Sequence, residues 1–470
     1  MNRKHIARSA ALACILSLLL AFASCVEKPQ TDTSGNWEGK EDFKVEDKFD
    51  EELVKRYDEY KENVSLAFTA NTPEDESHFT TESYGDGVKI TGFSGDSTII
   101  VVPDTIGGKA VLAIGAKVFS KKNIRAVSLP DSVESIEKGA FAGCDKLSTL
   151  RLPFVGDGGE NDFLGYIFGA SKYEEQSLKV PASLDMVILG DKTAKISDDA
   201  FAGCKSISAV VLPENVESIG AFAFYECKDL VYADIGAVRE IGEYAFGHCS
   251  SLLSLTVDSA EKIGRGALFD CSSLRTLTLN FVGESKTENR FIGHIFGAES
   301  ADFNDEFVPG SLRTLNLNCE EIPDRAFALC AYIMNVNLGE NVEKIGVRAF
   351  YGCRSIQNIA LPDGVKTVGD DAFFGCDNLE SISFGSDVES IGMQAFYGCR
   401  ALKAVVIPEK VTEIKPSTFA LCSSLESVEL NNVKRIGKDA FLKCEALTPV
   451  DCEGIEVADG NGSIVADVNE

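Results

Sequence analysis

The sequence predicts a repeat solenoid, a stack of coils that each carry one short parallel β-strand and one tight helical or 3-10 turn. Two observations predict it. The phrase Ala-Phe-x-x-Cys, first met at Ala140-Phe141-Ala142-Gly143-Cys144, returns with cysteines at 204, 227, 249, 271, 330, 353, 376, 399, 422 and 444. Three residues after each cysteine an apolar-x-x-apolar-x-apolar pattern begins, as in Leu147/Leu150/Leu152 and Leu402/Val405/Ile407. A unit of 22 to 23 residues repeated this regularly overrides any local secondary-structure reading. A chain of 470 residues would otherwise suggest several globular domains, but a solenoid grows by stacking and has no single closed core to limit it.

In chain order, residues 1–24 read as an export signal. Arg3, Lys4 and Arg8 form a basic head, and the apolar run Ala10 to Ala23 is shorter than the roughly 20 residues of a membrane-spanning helix. Residues 25–45, with Pro29, Thr31, Ser34, Gly35 and Gly39, form a flexible tether. Phe49, Leu53, Tyr57 and Tyr60 are spaced three and four apart, the pattern of a short amphipathic helix. From His78 to Val102 short alternating runs are divided by glycines, so residues 46–110 are expected to form a helix and a small N-terminal β cap over the first coil. The solenoid then spans residues 111–452, beginning with a degenerate coil in which Lys122 replaces the cysteine, and residues 453–470 form a C-terminal cap or tail.

Within one coil, Leu402, Val405 and Ile407 mark a strand whose inward side chains follow the period-2 rule. Pro408 ends it for want of an N–H, Val411 and Ile414 point back into the core, and Thr418-Phe419 opens the turn that Cys422 closes. The expected core column holds Phe141, Phe201, Phe224, Phe246, Phe327, Phe350, Phe373, Phe396, Phe419 and Phe441. Beside it run Cys144, Cys204, Cys227, Cys249, Cys271, Cys330, Cys353, Cys376, Cys399, Cys422 and Cys444. One cysteine per coil at one position favours free, packed thiols over a disulfide scaffold: without Cys14 and Cys25 thirteen remain, and a continuous column offers no pairing scheme. Cys319 and Cys452 stand at apolar positions of other coils and read as small hydrophobes.

Two coils are longer, 147–183 and 274–311, and share an internal phrase. Phe154-Val155-Gly156 leads to Phe163-Leu164-Gly165-Tyr166-Ile167-Phe168-Gly169-Ala170 in the first. Phe281-Val282-Gly283 leads to Phe291-Ile292-Gly293-His294-Ile295-Phe296-Gly297-Ala298 in the second. They break the regular surface, so Phe154, Phe163, Tyr166, Phe281, Phe291 and His294 are the candidate binding residues, with charged tips at Asp157, Glu160, Asp162, Glu284, Lys286 and Arg290. The alternative is that these aromatics fill a wider coil.

No catalytic, cofactor or metal-binding set is expected. His78, His248 and His294 lie far apart in sequence, C-x-x-C is absent, and the pairs Asp198-Asp199 and Asp370-Asp371 fall at one repeat position, as turn residues do. Asp459-Gly460-Asn461-Gly462 reads as a hairpin turn, since the remaining positions of a calcium loop are missing. The formal charge of −28, about −31 without the first 24 residues, argues against nucleic acid. Down the stack the outward strand position reads Ser128, Arg151, Ile188, Val211, Asp234, Thr256, Thr278, Asn316, Asn337, Ala360, Ser383, Val406, Glu429 and Asp451, a mixed face suited to broad protein or glycan contact.

The repeat L-x-x-[VIL]-x-[LI]-P-x-x-V-x-x-I-G-x-x-A-F-x-x-C resembles the BspA-like, or Treponema-type, bacterial leucine-rich repeat over about residues 98–452. The resemblance implies a curved right-handed solenoid on a surface lipoprotein, with adhesion to host matrix proteins such as fibronectin and fibrinogen or to other bacteria. Phe22-Ala23-Ser24-Cys25 similarly resembles a bacterial lipobox, which implies lipid on Cys25 and an anchor in the outer membrane; an ordinary signal peptide with an incidental cysteine is the alternative. The expected protein is therefore a monomeric, non-enzymatic adhesin. Glycan capture for nutrient uptake and passive envelope structure stand as the other readings.

Overall fold

The computed structural model of the chain describes residues 72–458 together with Lys55 and Gly460, all within a compact unit spanning 49–470. The signal segment, Cys25, the tether, the amphipathic pattern from Phe49 to Tyr60 and most of the hairpin at 459–462 lie outside the described residues. The fold is a parallel β-solenoid of about 16 turns with little helix.

Two strand ladders run along the stack. The first is the expected one. Its strands pair in register from Ile99–Val101 through Tyr232–Asp234, and again from Ser254–Val257 through Ser381–Ser383. The second ladder was not anticipated: two-residue strands at the Ile-Gly step pair coil to coil, as Lys195-Ile196 with Ser218-Ile219 and Lys344-Ile345 with Thr367-Val368. It continues to Glu456–Val457, past residue 452. At its N-terminal edge the strand Gly87–Phe93 pairs parallel with Lys109–Ile114 and antiparallel with Phe79–Tyr84.

The turn between the second ladder and the cysteine differs from the helical or 3-10 turn expected. It contains two residues in the left-handed region, one before the alanine and one before the cysteine, as at Asp371 (φ 54°) and Gly375 (φ 67°). Those residues redirect the backbone so that N–H groups point along the stack: Phe373 donates to Ala395 O at 2.8 Å and Gly375 to Tyr397 O at 2.8 Å. A continuous helical turn would aim the same donors back into its own coil.

The phenylalanines of this turn stack ring on ring. From Phe327 through Phe350, Phe373, Phe396 and Phe419 to Phe441 the centroids are 5.2 to 5.5 Å apart, close to the strand spacing, and each ring is buried. The eleven cysteines beside them are free and buried, as is Cys319, while Cys452 is half-buried. In the regular coils the thiol is more than a spacer. Cys376 Sγ donates to Phe350 O at 3.3 Å and Cys399 to Phe373 O at 3.3 Å, giving each phenylalanine carbonyl a partner in the next coil besides its own cysteine N–H. Burial pushes the thiols up, to about 11 for Cys144 and Cys444 at the two ends of the column.

Glycine at the Ile-Gly step is required by contact between backbones. A Cβ on Gly392 would lie 2.4 Å from Asp370 N, and one on Gly242 2.4 Å from Ala221 N. The same position holds Ser197 and Pro323 after the two long coils, and Glu137 and Lys415 in two others, so the glycine is needed only where one backbone lies this close to the next. Gly375 has nothing within 4 Å and is needed only for its φ. Gly392→Ala is expected to cost about 3 kcal/mol by overpacking, and Gly375→Ala about 1 kcal/mol by backbone strain alone. Denaturation midpoints of the two variants will show that order, and equal losses would refute it.

Candidate functional site

Both long coils keep the first ladder unbroken: Thr149 pairs with Met186 across one and Thr276 with Thr314 across the other. Their extra residues emerge on the side of the second ladder, which both of them interrupt. There Ile136 N–H donates to Asp157 O at 3.2 Å and Ile263 N–H to Glu284 O at 2.8 Å, so the loop stands in for the missing strand.

Each loop is tied by one acid and one asparagine. Asp157 Oδ1 accepts from Gly159 N at 2.8 Å and Oδ2 from Asn161 Nδ2 at 2.6 Å; burial pushes this carboxyl up, but those bonds outweigh it and hold it below the usual range. Glu284 accepts from Asn289 Nδ2 at 2.6 Å, which likewise lowers it. Arg290 pairs with Glu321. Asp157, Glu284 and Arg290 are thus structural, whereas Glu160 and Lys286 are exposed.

The candidate aromatics divide. Phe281 and His294 are core residues, 3% and 6% exposed, and the wider coil takes them in; as contact residues they are corrected here. Phe154 and Tyr166 are half-buried against the core, and Phe163 and Phe291 are half-buried at the surface. Phe163 meets Tyr166 edge-on at 6.1 Å, as Phe291 meets His294 at 6.1 Å, so the two coils share one pair in two chemistries. Burial also lowers the basicity of His294, whose Nε2 lies 3.7 Å from Glu284.

Only the first long coil brings its candidates to an open groove among the pockets described. A hollow of about 450 Å³ is lined by Glu160, Asp162, Phe163, Tyr173, Lys195 and Asp198, and an adjoining one of about 460 Å³ adds Glu134, Phe154 and Lys192. Ser197 Oγ donates to Asp162 Oδ2 at 2.8 Å on the ridge they share.

Two residues that hold these coils were missed. Gln176 and Asn304 are fully buried amides, each seven residues beyond the Gly-Ala step at Gly169 and Gly297. Gln176 accepts from Gly165 N at 3.1 Å and donates to Asp199 O at 2.9 Å; Asn304 accepts from Gly293 N at 2.9 Å and donates to Ala328 O at 3.1 Å. Their equal offset in sequence was the available signal.

The larger omission is an aromatic patch on the turn side. Phe222 stacks on Tyr244 at 5.5 Å, Tyr225 and Phe269 each meet His248 edge-on at 5.2 Å, and Tyr244 meets Phe269 at 5.7 Å. All five are half-buried. Phe222 (φ 57°) and Tyr244 (φ 53°) occupy the left-handed positions where other coils hold glycine or a polar residue, an unfavourable backbone for bulky side chains. The patch reaches the second long coil, where Phe269 and Phe307 both approach Gly297. His248, without a partner by sequence spacing, bonds Asp270 at 2.8 Å because residues 22 apart are stacked neighbours.

Asp198 and Asp370 accept from Ala221 N at 2.9 Å and Met393 N at 2.8 Å in the next coil, and Asp199 and Asp371 are left-handed turn residues, so neither pair is an acid/base dyad. No group of three or more His, Cys, Asp or Glu among the described residues is arranged to hold a metal, and no helix among them is long and apolar enough to cross a membrane.

The family model of the BspA type leucine rich repeat region matches residues 112–163, 174–292 and 320–448 in six copies. No curated protein matches. Among solved structures, a leucine-rich repeat protein from Bacteroides ovatus is 19% identical, covering 76% of this chain and 99% of its own, at a TM-score of 0.37. A leucine rich cell surface protein from Faecalibacterium prausnitzii is 23% identical over 77% and 96%, at 0.30. The pneumococcal vaccine antigen PcpA is 18% identical over 83% and 97%, at 0.26.

Asp199 yields a pH prediction. Burial first, then the charges of Asp198 and Glu174, push its carboxyl from 3.8 up to about 7. With its folded value above its unfolded one, its favourable contribution is complete below about pH 4 and is lost as pH rises through about 7. Asp199→Asn, which also suits the left-handed backbone, is expected to be more stable than the parent at about pH 8 by on the order of 1–3 kcal/mol and to converge with it near pH 4. Thermal melts across that range will test the crossing.

Proposed function

This chain belongs to the BspA-type leucine-rich-repeat family, and we propose from that premise that it is a non-enzymatic recognition protein of the bacterial surface. Repeat scaffolds of this kind are generally non-catalytic and bind other proteins. The proposed role is an adhesin that engages host matrix proteins or proteins of other bacteria. One observation supports it above the rest: the patch of Phe222, Tyr225, Tyr244, His248 and Phe269. Protein interfaces are enriched in aromatic anchors, and a frame that accepts Phe and Tyr in left-handed positions to present them is spending stability on a surface. The groove of Phe163 and Asp162 is a secondary contact site in this reading.

The protein is further proposed to be exported by residues 1–24, held by lipid on Cys25 in the outer membrane, and monomeric.

Tyr225→Ser combined with Tyr244→Asn keeps a residue that tolerates the left-handed region at 244. With circular dichroism unchanged, the pair is expected to lower capture of the protein by immobilised fibronectin, fibrinogen or whole bacteria at least about tenfold; unaltered capture sinks the patch as the adhesive site. Cys25→Ala is expected to abolish incorporation of labelled palmitate and to release the protein from the membrane fraction. Retention of the label would refute the anchor.

A further inference from the structure

We infer that the outward face of the six-stranded sheet from Ser254 to Ser383 is a second binding surface, built for an uncharged glycan chain. The six strands pair in sequence order, and along each the inward residues are buried while the alternate ones face out. At every outward position the residue is Ser, Thr or Asn, with one Ala; none is charged and none is aromatic. This in a chain with 25% charged residues and a formal charge of −28 is not the composition of an ordinary solvated face. The character changes at both borders: the preceding sheet shows Arg151, Ile188, Val211 and Asp234 at the equivalent position, and the following one Val406 and Glu429.

The side chains form an ordered lattice. Asn337 Nδ2 donates to Asn316 Oδ1 at 2.8 Å, Asn316 Nδ2 to Thr278 Oγ1 at 3.0 Å, and Ser381 Oγ to Asn358 Oδ1 at 2.6 Å. Each amide has two donors and two lone pairs, so these bonds fix its orientation and leave capacity for a ligand. Rows stand about 4.8 Å apart across strands and outward residues about 6.7 Å apart along them.

The chemistry selects the occupant. A nucleic acid requires cations, which the face lacks. A protein partner requires aromatic or arginine anchors, and none stands at an outward position of these strands, Arg313 being stacked on Tyr332 just ahead of them. An acidic polysaccharide meets the repulsion of the whole chain. A neutral polyhydroxyl chain meets none of these obstacles and exchanges its water for a lattice of hydroxyls and amides. This surface adds to the recognition reading and does not depend on the aromatic patch.

The test is affinity electrophoresis of the purified full chain in gels containing xylan, mannan, soluble starch or hydroxyethyl cellulose, with polygalacturonate as the acidic counterpart. At least one neutral polymer is expected to retard the protein and polygalacturonate is not. Asn316→Asp with Asn337→Asp, both outward and nearly isosteric, is expected to weaken retardation about tenfold. Asn335→Asp alone, at an exposed position, is a second variant with the same expected direction. Tyr225→Ser with Tyr244→Asn should leave retardation unchanged while altering capture by proteins, so the two surfaces fail separately. Equal migration in every neutral gel, equal retardation by polygalacturonate, or aspartate variants that bind as the parent does would each overturn the proposal.

Discussion

Backbone meeting backbone at the Ile-Gly step is the contact from which the rest of the stack follows. Gly242, Gly346, Gly369 and Gly392 let one coil lie directly on the next, with no room for a methyl group. That approach brings the two-residue strands into pairing distance, which sets the ring spacing of the phenylalanine column and places each thiol under the carbonyl of the coil before it. No coil could bury its own apolar residues, so stability resides in the interfaces. The contact is relaxed at the two long coils and again at Ile414-Lys415, where the second ladder and the regular glycine lapse. At the second long coil the coil-to-coil thiol bond lapses as well, and Cys330 meets Ala328 O at 4.0 Å.

The frame was readable because its residues recur in register. Phe373 and Cys376 are buried for the reason their periodicity suggested, and the outward strand column pairs residue for residue as the spacing required. The second ladder escaped notice because a two-residue strand leaves no alternation to detect: Glu413-Ile414 looks like one apolar residue in a loop. The left-handed pair in the turn escaped because glycine marks it in some coils and Lys443, Leu421 or Asp371 in others, so the backbone constraint is hidden by the residues that endure it.

The candidate site was only partly legible for a different reason. Surface residues are free to vary, and what makes them a site is contact between coils about 22 residues apart. Phe222 and Tyr244 share one position of their repeats and Phe269 falls at another, so no single column contains the patch, yet the rings touch. His248 and Asp270 become partners by the same geometry. In the long coils, the shared phrase marked the right segments but not which aromatics stay outside; a wider coil has room for Phe281 and His294, and took them.

The thiol column has a consequence for how such a molecule is made. Once stacked, the sulfurs are shut away with their protons on, and oxidants have nothing to attack. Before stacking, the same residues sit on an open chain at equal intervals, and any two of them joined would lock coils together in the wrong order. The hazard belongs wholly to the nascent chain. A growing stack ends it one sulfur at a time, as each new coil seals the one beneath.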